Sequence, residues 1–286
     1  MSGRGFEAYS YSSRKKDRPV IRFRVKAALF IVFVVFILCF IIYMTEANIN
    51  SKKNNSAGFS ADSSVLLSSQ EATEPETVQK EEKSIINPVP ASEPLSETYF
   101  GKCVFVGDSI SVGLADFQLV PVKNVFAKLG MNIEKINTET MKTAYGDVTA
   151  IEALKEAKPE NVYIMLGSNG IAWLSTADMI EYYSQFVDEI KNSLPDTKIY
   201  ILSIPPVTAE RETAEEEPIL NSDIDNYNSE LLKMADEKKI YYVDINTALK
   251  GNDGKFPADM AEKDGMHFVK TTYTVMLDYI LSHTVE

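Results

Sequence analysis

The segment KCVFVGDSISVGL, residues 102–114, joins a strand pattern to a tight turn and a helix start. Residues 103–106 are a short apolar, β-prone run of the kind that a fully buried parallel strand shows. Gly107 permits a sharp turn, and Asp108 and Ser109 are favoured residues at the first positions of a helix. The Ser109 hydroxyl is therefore expected at the carboxyl edge of a parallel sheet, where open α/β folds bind their ligands.

A second motif near the carboxyl terminus gives Ser109 a chemical context. The chain has two histidines, and one of them, His267, follows Asp264 at a three-residue spacing. A serine nucleophile needs an imidazole that takes its proton and a carboxylate that fixes the imidazole tautomer. We therefore predict Ser109 as nucleophile, His267 as base and Asp264 as its orienter. Judged from residues 102–114 alone, Ser109 could equally be a simple helix cap.

Three short blocks in this order are similar to those of the SGNH (GDSL-type) hydrolases. They are Gly107-Asp108-Ser109, Gly167-Ser168-Asn169 and Asp264-Gly265-Met266-His267. The resemblance covers residues 99–286. It implies a serine esterase without a cofactor, on a flavodoxin-like three-layer α/β sandwich with a parallel sheet.

The same resemblance implies an oxyanion hole formed by the Ser109 backbone N–H, the Gly130 backbone N–H and the Asn169 side-chain amide. Gly146 is an alternative to Gly130, and Asn169 could be an ordinary turn residue. The third block carries Gly170 where the family usually has aspartate, which leaves the asparagine in place but alters the support of its loop. Asp108 is expected to be structural.

The charge distribution divides the chain into a basic start and an acidic remainder. Residues 1–26 carry eight Lys/Arg against two acidic residues, a net charge of +6, so the total of −12 leaves −18 elsewhere. Residues 27–44, AALFIVFVVFILCFIIYM, are uncharged and almost wholly apolar, which is about the minimum for a membrane-spanning helix. The preceding positive charges predict a cytoplasmic amino terminus. A cleavable signal peptide is the alternative.

The predicted organisation is a basic cytoplasmic tail (1–26), a transmembrane helix (27–44), a disordered extracytoplasmic stalk (45–98) and an SGNH hydrolase-like domain (99–286). The stalk is rich in Ser, Glu, Lys, Asn and Pro, with too few apolar residues for a core. Within the domain, β-prone runs alternate with helical stripes, which indicates a parallel sheet wrapped by helices. The runs are residues 103–106, 124–127, 162–166, 199–204 and 240–245.

Other function classes are disfavoured by the composition. Metal chemistry is disfavoured because histidines are few and no close cysteine pair occurs. Nucleic-acid binding is disfavoured by the acidic charge outside the anchor. Cys39 and Cys103 are not expected to form a disulfide, since one falls in the apolar span and the other in a buried strand. The acidic connection at residues 205–218 could be a mobile lid or a solvated loop.

The sequence thus predicts a membrane-anchored extracytoplasmic esterase that acts on an acylated glycan or a lipid ester. By resemblance and location, O-acetyl groups on cell-envelope or exported polysaccharide are the expected substrate. The alternatives are a lipase or lysophospholipase, an O-acyltransferase that uses the same residues, and a catalytically silent glycan-binding or assembly module. Protein partners are not predicted.

Overall fold

The computed structural model describes residues 85–285, and the predicted cytoplasmic tail and transmembrane helix (27–44) lie outside that range. None of the helices within 85–285 is long and apolar enough to cross a membrane. The strands are β1 (Cys103–Gly107), β2 (Val125–Ala127), β3 (Met141–Thr143), β4 (Gly146–Val148), β5 (Asn161–Met165), β6 (Lys198–Leu202) and β7 (Tyr241–Val243).

Five of these strands form one parallel sheet in the order β2-β1-β5-β6-β7. Counting only these five strands along the chain, the order is 2-1-3-4-5, which is the flavodoxin-like arrangement. The prediction of a parallel α/β sheet is therefore confirmed, with strand ends that shift by at most two residues. Strands β3 and β4 form a separate antiparallel hairpin that the sequence analysis did not predict.

Helices cover both faces of the sheet, as expected for a sheet whose strands are buried on both sides. The helices are α1 (Ser109–Asp116), α2 (Ala150–Ala157), α3 (Thr176–Ser193), α4 (Ala209–Glu212), α5 (Asn221–Lys238), α6 (Ile245–Leu249) and α7 (Lys270–Ser282). Helices α2, α3 and α5 pack side by side on one face, and α6 packs against α7. Tyr273 of α7 donates to the Ile110 carbonyl of α1 at 2.9 Å, which joins these two helices.

Aromatic rings laid across the strands stabilise the sheet. Phe105, Tyr163, Tyr200 and Tyr241 occupy paired positions on β1, β5, β6 and β7. Their rings stack in sequence with centroid separations of 5.4, 4.6 and 4.8 Å. Because paired aromatic side chains add to the stability of neighbouring strands, this row ties β1 and β5, which precede the site, to the rest of the sheet.

The domain begins earlier than the predicted boundary at residue 99, which is a correction to the stalk prediction. The Asn87 side chain accepts from the Tyr242 amide at 2.8 Å, and the Val89 amide donates to the Tyr242 carbonyl at 2.8 Å. Val89 is buried, and the Leu95 amide donates to the Leu281 carbonyl. A few apolar residues are enough to hold this segment in place because it packs against β7 and the end of α7, which already belong to the folded domain. Residues 45–84 of the predicted stalk lie outside the described range.

The two cysteines and the second histidine lie outside the predicted site. Cys103 is a free, buried thiol in β1, as predicted, and Cys39 lies outside residues 85–285. The second histidine, His283, is partly buried. Its ring stacks on Tyr279 with a centroid separation of 3.7 Å and bonds to the Tyr279 carbonyl, because the helix end brings both residues to the same face.

Candidate active site

The Gly-Asp-Ser turn places Ser109 at the carboxyl end of β1, as the first residue of α1. Asp108 caps that helix, since its Oδ1 accepts a hydrogen bond from the Ile110 amide at 3.0 Å. Gly107 is required by crowding: a Cβ there would lie 2.0 Å from the Ser111 Oγ and 2.8 Å from the Met165 carbonyl oxygen. The turn is therefore fixed by side-chain packing and a helix cap.

The structure brings Ser109, His267 and Asp264 together in one hydrogen-bonded chain. The Ser109 Oγ lies 2.8 Å from His267 Nε2, and His267 Nδ1 lies 2.5 Å from Asp264 Oδ2. An ionised carboxylate can only accept hydrogen bonds. His267 consequently carries its proton on Nδ1, and Nε2 is left to accept the hydrogen of the Ser109 hydroxyl.

The Asp264 carboxylate is held by the same turn that carries His267. Asp264 Oδ1 accepts from the Met266 and His267 amides at 3.0 Å each. Partial burial alone would raise the pKa of Asp264, but the two amides and the His267 ring outweigh it and lower the pKa below its usual value. The side chains of Asp264 and His267 are 50% and 34% exposed, so water reaches this side of the site.

The turn of Asp264 also depends on Gly265 and on the connection at residues 205–218. Gly265 has φ +75°, and a Cβ there would lie 2.3 Å from the Thr208 Oγ1. The buried Thr208 donates its amide to the Gly265 carbonyl at 2.9 Å. The Asn221 side chain accepts from the Val207 amide and donates to the Val207 carbonyl. The first half of this connection is thus packed on the turn that carries Asp264 and His267, while residues 215–218 are exposed.

Asn169 follows β5 and reaches towards the Gly-Asp-Ser turn. Its Nδ2 donates to the Met131 carbonyl at 3.1 Å and to Asp108 Oδ2 at 3.4 Å. The second distance is long for an N–H···O bond. In this arrangement both amide hydrogens of Asn169 have protein acceptors, and the weaker bond is the one directed to the fully buried Asp108.

Burial raises the pKa of Asp108 to about 6, although the Ile110 amide and the positive form of His267 act against this increase. The carboxylate is completely inaccessible to solvent and caps α1. Its contacts agree with the prediction that it is structural, and they also link it to Asn169. The sequence analysis did not foresee this link.

Gly130 lies in the loop after β2, with φ +71°. The Met131 amide donates to the Lys128 carbonyl at 3.1 Å, so Gly130 occupies the turn position where a positive φ favours glycine. Within residues 85–285, neither the Gly130 amide nor the Ser109 amide has a hydrogen-bond partner. Gly146, the alternative, sits at the turn of the β3–β4 hairpin, where it pairs with Thr143.

A small apolar cleft opens at residues adjacent in sequence to Ser109 and His267 and has a volume of about 10 Å³, enough for roughly one water molecule. It is lined by Ser168 of the Gly-Ser-Asn block and Met266 of the Asp-Gly-Met-His block, by Ile110 next to the Gly-Asp-Ser block, and by the connection after β6. The lining from that connection includes Pro205, Pro206 and Val207. Only the positions adjacent to the motifs were visible in the sequence, because the rest of the lining comes from tertiary packing.

Comparison with known proteins decides the family. Residues 105–275 match the model of the GDSL-like lipase/acylhydrolase family. The chain belongs to this family. This GDSL-like hydrolase matches no curated protein significantly.

Among solved structures, this GDSL-like hydrolase is similar to a Streptococcus pneumonia protein described as a candidate platelet activating factor. The identity is 19%, the TM-score is 0.51, and the match covers 63% of this chain and 81% of the other. A GDSL-like lipase from Bacteroides thetaiotaomicron gives 18% identity, a TM-score of 0.47 and coverages of 65% and 89%. The acetylxylan esterase Axe2 from Geobacillus stearothermophilus gives 18% identity and a TM-score of 0.45, and the match covers 64% of this chain and 94% of the other. At these identities the similarities concern the fold alone.

Proposed function

We propose that Ser109, His267 and Asp264 form the catalytic triad of a serine esterase that removes small acyl groups. The supporting observation is the chain of two short hydrogen bonds from the Ser109 hydroxyl through His267 to Asp264. In the first step, His267 Nε2 takes the hydroxyl proton as Ser109 Oγ attacks the ester carbonyl. Asp264 stabilises the imidazolium that forms, and the imidazolium then protonates the leaving alcohol.

The negative charge that develops on the carbonyl oxygen needs hydrogen-bond donors. The unpartnered amides of Ser109 and Gly130 supply two of them in this proposal. Asn169 supplies the third when its long bond to Asp108 is exchanged for the oxyanion. Water then attacks the acyl-serine with His267 as base, which releases the carboxylic acid and restores the Ser109 hydroxyl.

The size of the apolar cleft favours an acetyl or similarly short acyl group. A cleft of about 10 Å³ beside Ile110 and Met266 can seat a methyl group but has no room for a long acyl chain. This observation supports an acetyl esterase over the lipase or lysophospholipase alternative.

We further propose that the domain works outside the cytoplasm, tethered by residues 27–44, on O-acetylated envelope or exported polysaccharide. This part rests on the apolar run and the preceding positive charges of the sequence. In intact cells, added protease is expected to remove the domain while the amino-terminal tail stays protected. Complete protection of the domain would contradict the orientation.

Hydrolysis of 4-nitrophenyl esters tests the activity. Acetate is expected to be the best substrate, and kcat/KM is expected to decline steeply from butyrate to octanoate because the longer chains do not fit. The Ser109→Ala protein serves as the folded control and is expected to lack turnover. Octanoate turnover equal to that of acetate would favour the lipase, and near wild-type turnover by Ser109→Ala would refute the triad.

A further inference from the structure

Trp173 is the sole tryptophan of the chain, and its side chain is 60% exposed. Tryptophan is a large residue that is usually well buried on average. This one lies in the loop between β5 and α3, four residues after Asn169. Its exposure therefore places a large flat apolar surface beside the candidate oxyanion hole.

The Trp173 ring is held in place by its own loop. The indole Nε1–H donates to the Asn169 carbonyl at 2.8 Å, and the Trp173 amide donates to the Gly170 carbonyl at 3.0 Å. Asn132 Nδ2 reaches the same Asn169 carbonyl at 3.4 Å. Because the only polar atom of the indole is already used, what Trp173 can offer a ligand is the face of its ring.

A second exposed apolar residue flanks the site on the neighbouring loop. Leu129 precedes Gly130 and is 71% exposed. The two loops are joined directly, since the Asn169 side chain donates to the Met131 carbonyl at 3.1 Å. Exposed apolar side chains thus lie close to both candidate oxyanion residues outside the helix, Asn169 and Gly130.

We propose that Trp173 is a stacking platform for a pyranose ring of the acylated substrate, which makes a glycan the substrate class. This inference rests on the proposed esterase function. A sugar ring has an apolar face of C–H groups and a polar rim of hydroxyl groups, so it can cover a flat aromatic ring while its rim stays hydrated. A lipid acyl chain would need an apolar channel, and the apolar cleft lined by Ile110 and Met266 is too small to provide one.

Two variants of the full-length protein separate ring stacking from the indole hydrogen bond. Trp173→Phe and Trp173→Leu both lose the bond to the Asn169 carbonyl, but only the phenylalanine keeps an aromatic face. The substrates are 4-nitrophenyl acetate, which has no sugar, and chemically O-acetylated tetrasaccharides of glucose and of N-acetylglucosamine. Acetate release from each is measured as kcat/KM.

The two variants are expected to hydrolyse 4-nitrophenyl acetate equally. On the O-acetylated tetrasaccharides, Trp173→Leu is expected to be about tenfold less efficient than Trp173→Phe. Equal efficiency of the two variants on both tetrasaccharides would overturn the platform. Wild-type turnover of 4-nitrophenyl acetate with no turnover of either tetrasaccharide would overturn it as well. Absence of turnover of all three esters by the wild-type protein would instead refute the proposed esterase.

Intrinsic fluorescence gives a readout that is independent of catalysis. Since Trp173 is the sole tryptophan, emission of the Ser109→Ala protein excited at the indole band reports on this side chain alone. Titration with the O-acetylated tetrasaccharides is expected to shift or quench the emission in a saturable way. An emission unchanged at concentrations that saturate wild-type turnover would show that the sugar binds elsewhere and would overturn the proposal.

Discussion

Replacing Asp264 by asparagine changes one atom of the proposed triad and tests the assigned proton positions. The asparagine Oδ1 can still accept from the Met266 and His267 amides, which lie at 3.0 Å, so the turn should persist. The atom that replaces Oδ2, however, becomes an NH₂ group 2.5 Å from His267 Nδ1. An amide NH₂ can only donate, so Nδ1 must become the acceptor.

The proton of His267 then moves to Nε2, which faces the Ser109 Oγ and can no longer take its proton. In Ser-His-Asp triads this tautomer change lowers kcat about 10⁴-fold. We expect a comparable loss for Asp264→Asn at neutral pH, measured with 4-nitrophenyl acetate. KM should change little, because the carboxylate does not contact the substrate.

The control for this experiment is the stability of the variant. Asp264 is half exposed and its backbone contacts survive, so the thermal midpoint should stay within a few degrees of the wild-type value. A folded Asp264→Asn protein with activity within tenfold of wild type would refute the reasoning. It would mean that His267 does not depend on Asp264 for its tautomer.

Three further predictions concern the residues around the triad. Asn169→Ala should lower kcat about 10²-fold or more with little change in KM, as expected for loss of an oxyanion donor. A change in KM as large as the change in kcat would argue against that role. Gly265→Ala should destabilise the fold by more than ~1 kcal/mol, because φ is +75° and the new Cβ meets the Thr208 Oγ1 at 2.3 Å; unchanged denaturant unfolding would contradict this. The pKa of Asp108 is about 6 in the folded protein and 3.8 in the unfolded chain, so the folded state binds this proton more tightly. The stability that this proton contributes is fully present below pH 3.8 and is lost as the pH rises through 6. The resulting decrease in the free energy of unfolding is roughly 3 kcal/mol. Relative to Asp108→Asn, wild-type stability should therefore fall between pH 4 and 7, and parallel curves would contradict the burial argument.

The strands of the central sheet could be predicted because each carries its own signal. Buried parallel strands are continuous apolar runs, and this pattern is shown by β1 and by all of β5 after Asn161. The serine and asparagine positions followed from the same pattern, since the carboxyl ends of β1 and β5 meet at one edge of the sheet. The position of His267 was inferred from its spacing to Asp264 and not from a strand. Local sequence was sufficient wherever one strand and its outgoing turn determined the position of a side chain.

Other features depend on tertiary contacts that the sequence does not reveal. The hairpin strands β3 and β4 have three residues each, too few for an alternation pattern to stand out. The docking of residues 87–95 relies on the free edge of β7 and on the end of α7, and not on their own composition. The connection at 205–218 was weighed as a lid or a solvated loop, yet Thr208 is buried against Gly265 because Asn221 anchors the segment from α5.

The nucleophilic role of Ser109 is the claim on which the proposed function depends most. The direct measurement is to incubate the full-length protein with a fluorophosphonate and to locate the modified residue by peptide mass spectrometry. We expect one adduct, on Ser109, formed much more slowly in the folded His267→Ala protein because Nε2 no longer takes the hydroxyl proton. An adduct on another residue, or labelling of Ser109 at an unchanged rate without His267, would contradict the proposed triad.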